Sequence, residues 1–130
     1  MNVIAYIKNG LALFGGALAG ILGGWDIALK VLILFVVFDY ITGLTAAWYE
    51  KKLDSNIGMK GIAKKILLFV PVVIGCWLDT WLGQEVLRSV TILFYVVNEG
   101  LSIAENLAKV GVPFPPALLD ALNQLKKKDE

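Results

Sequence analysis

The sequence predicts an all-α integral membrane protein with three to four transmembrane helices, a short amphipathic C-terminal helix and a homo-oligomeric assembly. The chain has 130 residues, 58% of them hydrophobic, whereas a soluble domain of this size is nearer about 45–50% apolar. Its charged residues cluster between apolar runs rather than scattering through them. The longest run, Ile27–Tyr49, exceeds the about 20 residues that a helix needs to cross a bilayer.

Composition also excludes several classes of function. The chain has no His and 1 Cys, so we expect neither an intrachain disulfide nor a Cys/His metal site. A net charge of +1 gives no indication of nucleic-acid binding. The sequence contains no phosphate-binding loop and no catalytic triad. We therefore expect no cofactor, no metal and no enzymatic activity. More apolar sequence follows the small triplet Ala17–Ala19, so a cleaved signal peptide is not expected.

The first helix is predicted over residues 3–25 and carries a stripe of small residues. The stripe consists of Ala12, Gly16, Gly20 and Gly24, which recur at every fourth position. Such spacing lets two helix backbones approach closely in lipid. The stripe can serve contacts between copies of the chain or packing within one chain, and the sequence leaves both open. Lys8 interrupts the run, so the segment can also lie along the membrane interface.

The second helix, predicted over residues 27–49, carries a carboxylate near its middle. Asp39, Thr42 and Gly43 share one face because they are three and four residues apart. A carboxylate at the bilayer centre costs about 2.5–3.5 kcal/mol or more unless it faces protein or water. We therefore predict that this face lines a pore or meets another helix.

A basic loop follows the second helix. Its lysines are Lys51, Lys52, Lys60, Lys64 and Lys65. Short loops rich in lysine remain in the cytoplasm, so this loop is predicted to be cytoplasmic. We expect the next helix to start within Ile62–Lys65.

The third and fourth helices, predicted over residues 66–82 and 87–107, each carry acidic groups. Pro71 should kink the third helix, and Asp79 lies near its far end. The fourth helix is apolar first and polar later, with Asn98, Glu99 and Ser102 in its second half. A helix leaving lipid and a helix with a pore-side polar stripe would both show this pattern.

The tail, residues 111–130, is predicted to be cytoplasmic. Its prolines end the fourth helix, and the leucines that follow lie on one side of a short amphipathic helix. The helix ends in Lys126, Lys127 and Lys128. Four spans with both termini in the cytoplasm, or three with the N-terminus outside, satisfy both basic regions, and the first segment decides between them. We favour four.

Several stretches taken together resemble one family. They are FDYITG around Asp39, SNIGMKGIAKK at Ser55–Lys65, Asp79, Arg88, FYVVNEGLSIAEN at Phe94–Asn106, and the GVPFPPALLDALNQL tail. No single motif is specific, since D-x-x-x-G is common in membrane helices, but their order and spacing from about Ile27 to Leu125 resemble the bacteriophage holins of the toxin-secretion and phage-lysis type.

The resemblance implies a multi-pass protein of the bacterial cytoplasmic membrane whose partners are further copies of itself and the lipid bilayer. Holins assemble, open at a set time, collapse the membrane potential and release an endolysin, or a toxin, with which they are functionally coupled. A closed cluster would hide Asp39 and Glu99, and an open ring would turn them toward water. The alternatives are a small oligomeric ion channel or transporter, and a membrane scaffold that docks partners through its tail.

The small-residue stripe gives a first prediction. If the stripe joins copies of the chain, Gly16→Leu or Gly20→Leu should weaken oligomers because the added side chain keeps the helices apart. Chemical cross-linking in membranes, read as the ladder of oligomeric bands, measures this. Unchanged ladders would mean that the stripe does not join copies of the chain.

Overall fold

Four helical segments are long and apolar enough to cross a membrane in the computed structural model, which describes residues 2–129. The helices are α1 (Val3–Leu22), α2 (Ile27–Tyr49), α3 (Ser55–Leu67), α4 (Phe69–Leu82), α5 (Leu87–Lys109) and α6 (Pro116–Asp129). The third segment, Ser55–Leu82, comprises α3 and α4 together. No strand occurs among the described residues, and the predicted all-α membrane fold is confirmed.

The connection between α1 and α2 is short, as predicted, but α1 ends earlier than expected. Gly23 terminates the helix in the left-handed conformation, with φ 90°. Gly24 follows with φ 106° and lies in the connection. The prediction that Gly24 continues the stripe on the helix is therefore wrong. The Asp26 side chain then accepts a hydrogen bond from the Leu29 backbone and begins α2.

The third helix begins well before its predicted start. The Asp54 carboxylate accepts a hydrogen bond of 2.8 Å from the Asn56 N–H, and side chains that accept from early backbone N–H groups favour helix initiation. The segment predicted to form a loop up to about Ile62 is therefore helical from Ser55. This change places Lys65 within a helix.

A break at Leu68 separates α3 from α4. Pro71 has no backbone N–H to donate to the carbonyl of Leu67, one turn earlier, and its ring crowds that carbonyl. The interruption predicted from Pro71 thus lies immediately after Leu67.

The core lies where α2, α4 and α5 pack together. Its buried residues are Leu22, Leu29, Leu32, Val36, Val72, Ile92 and Val96. Gly75 permits the close approach of α4 to the start of α5, because a Cβ there would lie 3.1 Å from the Leu87 carbonyl and the Arg88 nitrogen.

Helix α1 stands largely apart from this core. It packs against α4, where the Trp77 indole donates a hydrogen bond of 3.1 Å to the Ile21 carbonyl. Its N-terminal half is exposed. A Cβ added at Gly16 or Gly20 would meet no other atom within 4 Å. The small-residue stripe is therefore not used for packing within the described chain.

Candidate functional site

The buried carboxylates of α2 and α5 converge on one lysine from α3. The Lys65 ammonium donates hydrogen bonds to the Asp39 carboxylate and, at 2.5 Å, to the Glu99 carboxylate. The two carboxylate side chains are 7% and 8% exposed and the lysine 23% exposed. Charge-assisted bonds of this kind are stronger than neutral ones. The three residues, which we call the Lys65 triad, thus join three helices.

Asn106 extends the triad along α5. Its amide donates to the Asp39 carboxylate at 2.9 Å and to the Thr42 hydroxyl at 3.0 Å. A Cβ at Gly43 would lie 3.5 Å from the same amide nitrogen, in van der Waals contact. Asn106 therefore fixes α5 against the face of α2 that carries Asp39, Thr42 and Gly43.

Tyr40 holds α3 against the other flank of α2. Its hydroxyl donates a hydrogen bond of 3.1 Å to the Gly58 carbonyl, and the Tyr40 ring lies 3.4 Å from where a Cβ of Gly61 would stand. Small residues on α3 thus admit the ring. An open crevice of about 270 Å³ beside this contact is lined by Asp39, Lys65 and Ser102, and also by Lys52 of the preceding loop.

The structure brings together some of the predicted site residues and separates others. Asp39, Thr42, Gly43 and Glu99 meet at the Lys65 triad, and Ser102 lines the adjoining crevice. Asn98 is exposed, next to the buried Glu99. Asp79 belongs to a separate cluster with Arg88.

Sequence reasoning missed the roles of Lys65 and Asn106. Lys65 was interpreted only as a topology signal, together with Lys51, Lys52, Lys60 and Lys64. A helix start at Asp54, followed by three turns, would have placed Lys65 level with the apolar part of the span. The need of Asp39 for a counter-charge in the membrane would then have pointed to it.

The second polar cluster begins with Asp79, which caps α5. Its two carboxylate oxygens accept hydrogen bonds of 2.9 Å from the backbone N–H groups of Leu87 and Arg88. The first N–H groups of a helix have no partner within the helix, and a carboxylate there also matches the positive end of the helix dipole. Asp79 is thus buried but fully bonded.

Arg88 connects this end of α5 to the α1–α2 connection. Its guanidinium donates to the Leu22 carbonyl at 2.6 Å, the Gly24 carbonyl at 3.1 Å and the Asp26 carboxylate at 2.6 Å. The hydrogen bond from Arg88 holds the pKa of the Asp26 carboxyl below its usual value. Arg88 therefore satisfies carbonyls that the end of α1 leaves free.

Both clusters are suited to joining helices. Among residues 2–129, every buried side-chain nitrogen and oxygen has a hydrogen-bond partner. The same part of the chain holds no group of three His, Cys, Asp or Glu residues that could bind a metal ion. The buried polar side chains are thus hydrogen-bonded within the subunit.

Comparison with known proteins identifies the family. The pattern that describes the bacteriophage holin family matches residues 16–127, most of the chain. The chain belongs to the bacteriophage holin family. This holin is 37% identical over 103 residues to a probable holin of Bacillus phage phi105, covering 78% of this chain and 76% of the relative. It is 43% identical over 129 residues to an uncharacterised 14.9 kDa protein of Clostridium perfringens, covering 98% of each. No solved structure matches.

Family membership confirms several expectations. Holins permeabilise membranes during phage lysis and are not enzymes, so the prediction that this chain is not an enzyme is confirmed. Family membership and the four apolar helical segments together identify the chain as a multi-pass protein of the cytoplasmic membrane.

The Lys65 triad gives a second prediction. Lys65→Met should lower the free energy of unfolding by about 3–5 kcal/mol, because it leaves two buried carboxylates facing each other without a cation. Unfolding of the purified protein in detergent micelles measures this. Lys64→Met, at the neighbouring exposed position, is the matched control and should change stability by less than about 0.5 kcal/mol.

The double variant Lys65→Met/Glu99→Gln should recover part of the loss, since it leaves one unpaired carboxylate instead of two. Equal stability of the Lys65→Met and Lys64→Met proteins would show that the triad does not hold the helices together.

Asp26 gives a third prediction, which depends on pH. Asp26→Asn keeps a side chain able to cap α2 but removes the charge, and should cost no more than about 1 kcal/mol at pH 7. Because the folded-state pKa is lowered, this stabilisation is complete above the unfolded-state pKa of about 3.9 and disappears as pH falls through the folded-state value.

The wild-type and Asp26→Asn unfolding curves should therefore converge in acid. The exposed Asp120 provides the control, since Asp120→Asn should leave a much smaller difference at pH 7. A difference between wild type and Asp26→Asn that persists below both pKa values would contradict the assignment.

Proposed function

We propose that this holin assembles into homo-oligomers in the bacterial cytoplasmic membrane and opens a hole at a set time. Opening would collapse the membrane potential and release an endolysin for host lysis, or a toxin through the same hole. The observation that carries this proposal is the internal bonding of each subunit's polar groups. Within each subunit Lys65 and Arg88 already bind Asp39, Glu99 and Asp26, which supports a hole formed between copies rather than within one.

The exposed face of α1 supports assembly through that helix. Gly16 and Gly20 have open space where a Cβ would stand, and Ala12 on the same stripe is exposed. Beside α1 an apolar crevice of about 450 Å³ runs between Leu18, Phe69 and Val73. Small residues that let backbones approach are the usual contact surface of membrane helices. We propose that this face, without Gly24, joins neighbouring subunits.

We further propose that the N- and C-terminal ends of the bundle lie on the cytoplasmic side. Four spans place the loop with Lys51 and Lys52 on the same side as the C-terminal end of α5, from which the tail starts, and short lysine-rich segments stay in the cytoplasm. The Arg88 cluster then lies at the outer surface. Asp39 and Glu99 reach a lumen only if α3 withdraws Lys65 from between α2 and α5, so their direct exposure in the hole stays a prediction.

The proposal is tested by inducible expression in a bacterial host, with and without a cytoplasmic endolysin that lacks a signal sequence. Culture density and membrane potential are recorded together. We expect a sudden loss of potential, with rapid lysis only when the endolysin is present. Loss of potential without lysis would indicate an ion-sized pore or a channel. An unchanged potential, with the protein confirmed in the membrane, would favour a scaffold or a transporter.

Gly20→Leu serves as the assembly variant in the same assay and should delay the loss of potential at equal protein level. Gly10→Leu is the matched control, because Gly10 also has open space around it but lies off the stripe.

A further inference from the structure

The C-terminal helix folds back onto the bundle instead of extending away from it. Leu122 of α6 is buried, at 7% exposure. A Cβ on Gly100 of α5 would lie 2.7 Å from the Leu122 Cδ2 atom and 3.3 Å from the ring of Phe35 in α2. Gly100 thus leaves the space that Leu122 occupies, and α6 is anchored on α5 at the level of Phe35 in α2.

This anchor lies far inside the predicted membrane span. At about 1.5 Å rise per residue, Gly100 is about 13 Å from the C-terminal end of α5, and Phe35 is about 12 Å from the start of α2. Half of a typical hydrocarbon core is about 15 Å. Leu122 therefore stands close to the middle of the two longest helices.

The outer side of α6 is polar at the same depth. Asn123 and Gln124 follow Leu122 directly and are exposed, as is Lys126 one turn later. They lie within about 6 Å of Leu122 along the axis of α6. A lysine can extend its ammonium group toward the interface, but the amides of Asn123 and Gln124 are too short to do so. Lipid chains offer these amides no hydrogen bonds.

The exposed sides of other helices differ sharply from α6. Phe38 and Ile41 on α2 and Val70 and Ile74 on α4 are exposed and apolar, as expected where a helix meets lipid. At mid-membrane depth the subunit thus has apolar sides on α2 and α4, and it exposes polar side chains on α6 and at Asn98 of α5.

We infer that α6 lines the aqueous lumen of the assembled hole, with Leu122 anchoring it to α5 and its amide and lysine side chains facing water. The inference rests on the proposed function and identifies the lumen-facing surface. It requires no separation of α2 from α5, because the Lys65 triad remains closed while α6 meets water.

The test uses the full-length protein in vesicles of phosphatidylethanolamine and phosphatidylglycerol, with its single cysteine removed by Cys76→Ser. The first measurement asks whether α6 is docked in the membrane. Gly100→Cys/Leu122→Cys should form a disulfide on oxidation, because the smaller thiol at 122 makes room for the new side chain at 100. Gly20→Cys/Leu122→Cys, whose first cysteine lies on α1, is the control and should not cross-link within one chain.

The second measurement asks what covers the outer side of α6. A water-soluble, positively charged methanethiosulfonate reagent is applied to Asn123→Cys and to Phe38→Cys, one cysteine at a time. Asn123→Cys should react at least about tenfold faster, because only a thiol in contact with water forms the reactive thiolate. A disulfide between positions 100 and 122 together with this rate difference supports the inference.

Either of two results overturns it. Absence of the 100–122 disulfide would mean that α6 is not held at this depth. A disulfide with an unreactive Asn123→Cys would mean that lipid or another copy covers the polar side. The same vesicles enclose a fluorescent protein. If this protein is not released, the proposed function is contradicted. If it is released while Asn123→Cys stays unreactive, the inference that α6 lines the lumen is contradicted and the proposed function is not.

Discussion

A carboxylate placed inside a membrane must find a partner, and the pairing of Asp39 and Glu99 with Lys65 meets this constraint. An unpaired charge at that depth would offset much of the stability that a small bundle gains from packing. The partner comes from α3, so the position of α3 is set by the charges of its neighbours. The early helix start at Asp54 and the contact of Tyr40 with Gly58 both serve this placement.

A second set of polar contacts fixes the end of the bundle where α1 meets α2 and α4 meets α5. Asp79 caps α5, and Arg88 binds the carbonyls that α1 leaves free along with the Asp26 carboxylate. Between the two polar clusters the helices meet through aliphatic side chains. The subunit is thus bonded midway along α2 and α5 by the Lys65 triad and at one end by the Arg88 cluster.

That arrangement has a consequence for a protein whose family makes holes in membranes. Polar groups that are already bonded within the subunit are not available to line an aqueous lumen unless the helices separate. We propose the exposed stripe of α1 for assembly and the outer side of α6 for contact with water. The stripe of α1 consists of small residues and suits a helix contact, whereas the outer side of α6 carries polar side chains and suits contact with water.

The sequence by itself determined the membrane class, the approximate spans and the family, because hydrophobic length and the order of motifs are local properties of the chain. It also identified Asp39 and Glu99 as costly groups. Only the tertiary structure decided that Lys65 and Asn106 bind these groups, that Asp79 caps the start of α5, and that Gly100 leaves space for Leu122. These pairings join residues far apart in the chain, and periodicity within one helix carries no information about which residue of another helix lies opposite.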